Sequence, residues 1–123
     1  MADPRTDTGH VGEDAALAVY QRGGYRMIAR NWRCRVGELD LVLVRDETLV
    51  FCEVKSRRGA GFGAGYEAVN ARKRAKLRSV AEMFLLSRGL KPGAVRFDVA
   101  SVVVREPRDR APGSDVELFE DAF

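Results

Sequence analysis

The chain has 123 residues, of which 46% are hydrophobic and 32% charged, a composition that suits one globular domain burying roughly two-thirds of the surface its unfolded form exposes. No apolar run approaches the roughly 20 residues that span a bilayer, and Met1 to Gly12 hold no hydrophobic segment of the secretory kind, so a soluble, cytoplasmic protein outside the membrane is expected. The net charge of +3 hides an asymmetry: residues 105–123 carry three basic and six acidic side chains, leaving 18 basic against 12 acidic in 1–104, which favours a polyanion, nucleic acid ahead of a membrane surface.

The first element expected is a helix from about Gly12 to the stop pair Gly23 and Gly24, with Ala16, Leu17 and Tyr20 on its inner face. Glu13 belongs to the same stripe, so this acid either complements the helix dipole at the first turn or is aimed at a site. Tyr25 to Arg33 reads as a strand, with Met27 and Ile28 flanked by Arg26, Arg30 and Arg33. Cys34 and Cys52 lack metal-like spacing and are expected to be reduced core residues.

Two alternating stretches follow, Gly37 to Val44 and Leu49 to Lys55, joined by the polar Arg45-Asp46-Glu47-Thr48. This is a β-hairpin pattern, and a turn centred between Asp46 and Glu47 pairs residues whose numbers sum to 93. Asp40 then faces Glu53, and Glu38 faces Lys55. Period-two alternation sends all four side chains to one side of the sheet, together with Val42, Val44, Leu49 and Phe51, while Leu39, Leu41, Leu43, Val50, Cys52 and Val54 form the opposite apolar face. Directly paired residues have Cβ atoms roughly 5 Å apart, where like charges destabilise the sheet. A divalent cation would offset that repulsion, and hard oxygen ligands suit magnesium or manganese.

Ser56 to Gly65 is rich in glycine and reads as a loop beside the site, without the spacing of a phosphate-binding P-loop or a dinucleotide fingerprint. The longest helical pattern, Tyr66 to Arg88, carries Val69, Leu77, Val80, Ala81, Phe84 and Leu85 on one face and stops at Gly89. Lys73 interrupts the apolar stripe, whereas Arg72, Arg74, Lys76 and Arg78 fan outward as a solvated face or a phosphate-contacting one. Lys91-Pro92-Gly93 is a turn, and Val95 to Val104 is a strand in which Asp98 is expected to bond a loop or an arginine. Residues 1–104 are thus read as the domain and 105–123 as a loosely ordered tail in which Phe119 and Phe123 could dock.

Asp40, a hairpin and then Glu53-Val54-Lys55 between two helices resembles the PD-(D/E)xK nuclease pattern. With Glu13, Arg30-Asn31-Trp32-Arg33, Gly37-Glu38-Leu39-Asp40-Leu41, Phe62-Gly63, Ala68-Val69, Lys73 and Arg96-Phe97-Asp98-Val99, residues 9–104 resemble the YraN family of predicted bacterial endonucleases. The arrangement is also similar to archaeal Holliday junction resolvases. Leu39 stands where the superfamily motif has proline, and Cys52 where valine is expected; neither change removes a catalytic group. The resemblance implies a restriction-endonuclease-like α/β fold, a three-layer core with a central mixed sheet flanked by helices. It also implies a Mg2+ or Mn2+ site made by Asp40, Glu53, the Val54 carbonyl and Glu13, with Lys55 beside the attacking water.

The expected function is metal-dependent hydrolysis of DNA, branched or otherwise structured, as in repair or recombination. Lys73 would hold a substrate phosphate, and Arg57, Arg72, Lys76 and Arg30 would track the backbone. The rival readings are a non-catalytic nucleic-acid-binding accessory of the same fold, an RNA nuclease, and a purely structural protein. A homodimer is expected by analogy, since two sites are needed to cut two strands symmetrically.

Overall fold

A computed structural model of the chain describes residues 4–58, 70–105 and 114–123. In chain order these form α1 (Pro4–Arg22), β1 (Arg26–Arg33), β2 (Glu38–Arg45), β3 (Thr48–Arg58), α2 (Ala71–Arg88), β4 (Ala94–Val104) and β5 (Ser114–Phe119). The strands lie in the sheet in sequence order. β1, β2 and β3 are antiparallel neighbours, β4 runs parallel to β3, and β5 returns antiparallel to β4. The parallel step is the one that needs a crossover, and α2 supplies it.

Each face of the mixed sheet is covered by one helix, which gives the three-layer α/β core expected from the sequence. Ala16 and Tyr20 of α1 pack with Leu41, Leu43, Val50, Cys52, Ala100, Val102 and Val104. Leu77, Val80, Ala81 and Phe84 of α2 pack with Val42, Leu49, Phe51 and Val99. The hairpin has the expected register, from Arg45↔Thr48 to Leu41↔Cys52, around a tight turn in which Asp46 takes a left-handed φ of 54°. Leu39 departs from the expected pattern, because it packs on the α2 side rather than the α1 side. The departure falls just beyond Leu41, where the pairing of β2 to β3 stops and β2 remains paired to β1. Both cysteines are free thiols, and the burial of Cys52 pushes its pKa up.

Four boundaries differ from expectation, each for a physical reason. α1 starts at Pro4 rather than near Gly12. Proline fits a first helical turn, and Gly12 is not a start signal but a point of close approach, since a Cβ there would fall onto the Ser56 hydroxyl of β3. β3 continues through Ser56, Arg57 and Arg58, expected to be loop, because they pair with Val102, Val103 and Val104. The remainder of that loop and the expected helix start at Tyr66, with Val69, lie outside the described residues. α2 begins at Ala71: Asn70 is extended (φ −80°, ψ 176°) and its side chain accepts from the Lys73 N–H at 2.9 Å, while the left-handed Gly89 closes the other end as expected.

The fourth difference concerns the C-terminal segment, expected to be loose, which instead provides β5. Val116 and Leu118 add to the α1-side core and Phe119, Ala122 and Phe123 to the α2-side core, so the open edge of β4 and two apolar clusters both recruit it. The Ala122 N–H donates to the Phe97 carbonyl at 2.7 Å. Asp98, wholly buried on β4, accepts from Tyr20 Oη (2.7 Å), twice from Arg96 (2.9 Å each) and from the Asp121 N–H (3.0 Å), tying α1 and the C-terminus to the sheet. The expected loop and arginine partners of Asp98 are both present.

Candidate active site

The site lies where the two central strands part. β3 stays paired to β4 through Arg58↔Val104, and β2 to β1 through Arg33↔Glu38, but the β2–β3 pairing ends at Leu41↔Cys52. Asp40 is the next residue of β2. Its Oδ2 accepts the Val54 N–H at 2.8 Å, so a side chain replaces a backbone partner just past the end of the ladder. Glu53 lies on the adjoining strand, and its Oε1 is approached by Lys55 Nζ at 3.3 Å and by Lys73 Nζ at 3.4 Å. Lys73 is aimed there from the first turn of α2 because the Asn70 cap fixes where that turn begins.

Asp40, Glu53, Glu38 and Lys73 line one cavity of about 480 Å³, whose wall is completed by Asn70, Arg72, Lys76, Leu77 and Val80. Arg72 and Lys76 are exposed there, as expected for an outward basic fan. A second cavity, of about 390 Å³, is lined by Gly9, His10, Glu13, Asn31, Arg33 and Glu38, so Glu38 belongs to both. Glu38 is paired with Arg33 at 3.1 Å. Glu13 is buried under α1, where Oε1 accepts from Arg30 Nε and Asn31 Nδ2, each at 3.1 Å. Arg30 also donates to Asp14 and to the His10 carbonyl. The guanidinium expected to follow a nucleic-acid backbone is therefore engaged with α1. Arg57 is half-buried in β3 opposite Val103.

Electrostatics mark Asp40 out. Its pKa is pushed up to about 7, first by burial and then by Glu53, with smaller contributions from Glu13 and Glu38; the Val54 N–H opposes the shift. Glu53, Glu13 and Glu38 therefore all act on one carboxylate. Lys73 is lowered from the ordinary lysine value by burial and by neighbouring Lys55. Burial also works against the charge of Lys55, but contact with Lys73 and the nearby Glu53 and Asp40 carboxylates raise it overall. Of the two ammonium groups that share Glu53, Lys55 is the one whose charged form is favoured over that of a free lysine.

The donor set fits a hard divalent cation. Burial and like charge leave Asp40 short of positive partners, which a cation would supply. Among the described residues no three His, Cys, Asp or Glu side chains form a ready ligand group. Magnesium needs no such cage, since it is commonly held by one or two carboxylates while keeping several waters. Asp40, Glu53 and the Val54 carbonyl would suffice, with Glu13 adding an oxygen directly or through water. Asn31 and Arg33, part of the Arg30–Arg33 motif but given no site role from sequence, join the site, as does Asn70. The available signal for Asn31 was a poor strand former in the middle of a strand.

A mixed sheet covered by one helix on each face, with two acids and a lysine gathered where its central strands part, defines a three-layer α/β protein of restriction-endonuclease-like architecture. The chain belongs to the Uncharacterised protein family UPF0102, the YraN family, whose model matches residues 12–102. It is similar to a UPF0102 protein of Moorella thermoacetica, 42% identical over the full length of both chains. A Parafrankia UPF0102 protein is 44% identical over 94% of each chain. One from Streptomyces griseus is 46% identical over 85% of this chain and 87% of its own. Among the described residues no helix is long and apolar enough to cross a membrane.

Proposed function

We propose that the protein is a metal-dependent endonuclease that hydrolyses phosphodiester bonds of branched or structured DNA. The observation that carries this reading is the electrostatic strain at Asp40: a half-buried carboxylate beside Glu53, within the field of two further acids, opening onto a cavity walled by Lys73, Arg72 and Lys76. An acid cluster at the mouth of a basic groove suits a substrate that is itself anionic and is bound through a cation. Mg2+ or Mn2+ would supply Lewis acidity there, withdrawing charge from the scissile phosphate and acidifying a water.

The side chains then have distinct work. Asp40 and Glu53 would hold the cation, with the Val54 carbonyl as the further ligand that the family resemblance implies. Lys55, whose charged form the Glu53 carboxylate favours, orients the attacking water and offsets the negative charge that develops during hydrolysis. Lys73, which lines the cavity beside Glu53, is placed to take a substrate phosphate. Arg72 and Lys76 contact neighbouring phosphates, which gives affinity that falls with salt and little reading of base sequence. A two-fold dimer would bring two such sites to the two strands of one substrate.

The test is incubation of purified protein with labelled duplex, single-stranded, flap and four-way-junction DNA, and with RNA, in Mg2+, Mn2+ or EDTA. Asp40→Ala and Lys55→Ala variants are run in parallel. Cutting of branched DNA that requires metal and vanishes in both variants is the expected result. Metal-independent binding without cutting in any form would favour the accessory reading, and cleavage confined to RNA would change the substrate class.

A further inference from the structure

Asn31 adopts a left-handed φ of 51° in the middle of β1, the only described non-glycine residue to do so inside a strand. It falls between the pairs Arg30↔Leu41 and Trp32↔Leu39, which sets it beside Asp40 in the ladder. A backbone held in that region persists only where its surroundings require it, and asparagine is the side chain, after glycine, that tolerates it best. Were the conformation alone needed, glycine would serve. What asparagine adds is the carboxamide, and its Nδ2 donates to Glu13 Oε1 at 3.1 Å.

Arg30 Nε reaches the same oxygen, also at 3.1 Å. Two donors on one oxygen fix the rotation of the buried carboxylate and leave Oε2 engaged by neither. Asn31 and Glu13 line the same cavity, which meets the main one at Glu38. We propose that Asn31 is a positioning residue: with Arg30 it clamps Glu13 through Oε1 and so presents Oε2 to the cation site or to a water held there. The inference rests on the metal-dependent reading above and assigns Asn31 no contact with substrate. It accounts for why a strained residue occupies a strand next to Asp40.

The experiment uses the full chain and compares wild type, Asn31→Gly, Glu13→Gln and the double variant. Mn2+ affinity is read by calorimetry or electron paramagnetic resonance, and melting temperature is read in EDTA. Glycine accepts the backbone conformation, so Asn31→Gly is expected to melt at or above the wild-type temperature while binding Mn2+ about tenfold more weakly, the scale of losing a residue that orients a ligand. In the Glu13→Gln background the same substitution is expected to change affinity no further, because its effect passes through the carboxylate. Wild-type affinity in Asn31→Gly, or losses that add in the double variant, would overturn the inference alone. So would an Asn31→Gly chain that fails to fold, which would make the residue structural. Wild-type protein that binds no Mn2+ would overturn the metal-dependent reading and this inference together.

Discussion

Asp40 and Asp98 are two aspartates in adjacent regions of one sheet, and their surroundings are opposite. Asp98 is fully enclosed and receives four hydrogen bonds, two of them from the guanidinium of Arg96. Asp40 receives a single hydrogen bond from the described residues, from a neutral backbone N–H, and the charges nearest to it in effect are other acids. The contrast teaches that an acid within a strand says little until its donors and the sign of its neighbours are known. Asp98 is a structural tie, whereas Asp40 is a strained acid whose repulsion the proposed cation would relieve.

The sharpest way to break this contrast is to neutralise each acid in turn. Asp40→Asn should lower metal-dependent cleavage by about 10³-fold or more, the scale of losing a principal electrostatic group, while leaving the chain folded. Circular dichroism beside a cleavage time course checks both halves. Asp98→Ala should do the reverse of what Asp40→Asn does to the fold, removing about 3–5 kcal/mol because Arg96 and the Tyr20 hydroxyl lose their buried partner. A urea midpoint that scarcely moves would end its role as a tie.

A pH series sharpens the comparison further. Folding raises the Asp40 pKa to about 7, so the folded chain holds that proton more tightly than the unfolded chain does. The resulting stability is fully present below about pH 4 and is lost as pH rises towards 7 and above. Without metal, the wild type should therefore lose on the order of 2–4 kcal/mol from this group between about pH 4 and pH 8. Asp40→Asn should flatten that part of the profile, and equal slopes in the two proteins would contradict the assignment.

Two smaller effects bear on the elements that frame the site. Gly12→Ala forces a methyl group onto Ser56, where α1 touches β3, and should cost about 1–3 kcal/mol in thermal or urea unfolding. Lys73→Ala should weaken DNA binding uniformly across sequences and reduce the salt slope by about one phosphate contact. A change confined to one DNA sequence would point instead to base readout.

Much of this site is legible in the sequence, because alternation and a two-residue turn fix the hairpin register without help from the rest of the chain. The apolar faces follow from the same period, and Lys73 betrays itself by interrupting an apolar helical stripe. Three features needed the tertiary structure. The parting of β2 from β3 sends Leu39 to the other face, and nothing local announces it. β5 is half polar, with Ser114, Asp115 and Glu117, and is made a strand by the open edge of β4 and by the clusters that take Val116, Leu118, Phe119 and Phe123. Arg30 reads as a phosphate ligand by its charge alone, and only the placement of α1 shows it engaged with Glu13 and Asp14.

The central claim is that the Asp40–Glu53 pair is a cation site left electrostatically strained by the fold. The most direct test is the melting temperature at pH 8 in EDTA and in millimolar Mn2+, for wild type and for Asp40→Asn. A rise of several degrees with Mn2+ in the wild type, nearly absent in Asp40→Asn, whose EDTA form already melts higher than wild type, is the predicted result. Equal Mn2+ shifts in the two proteins, or an Asp40→Asn chain less stable than wild type in EDTA, would contradict it.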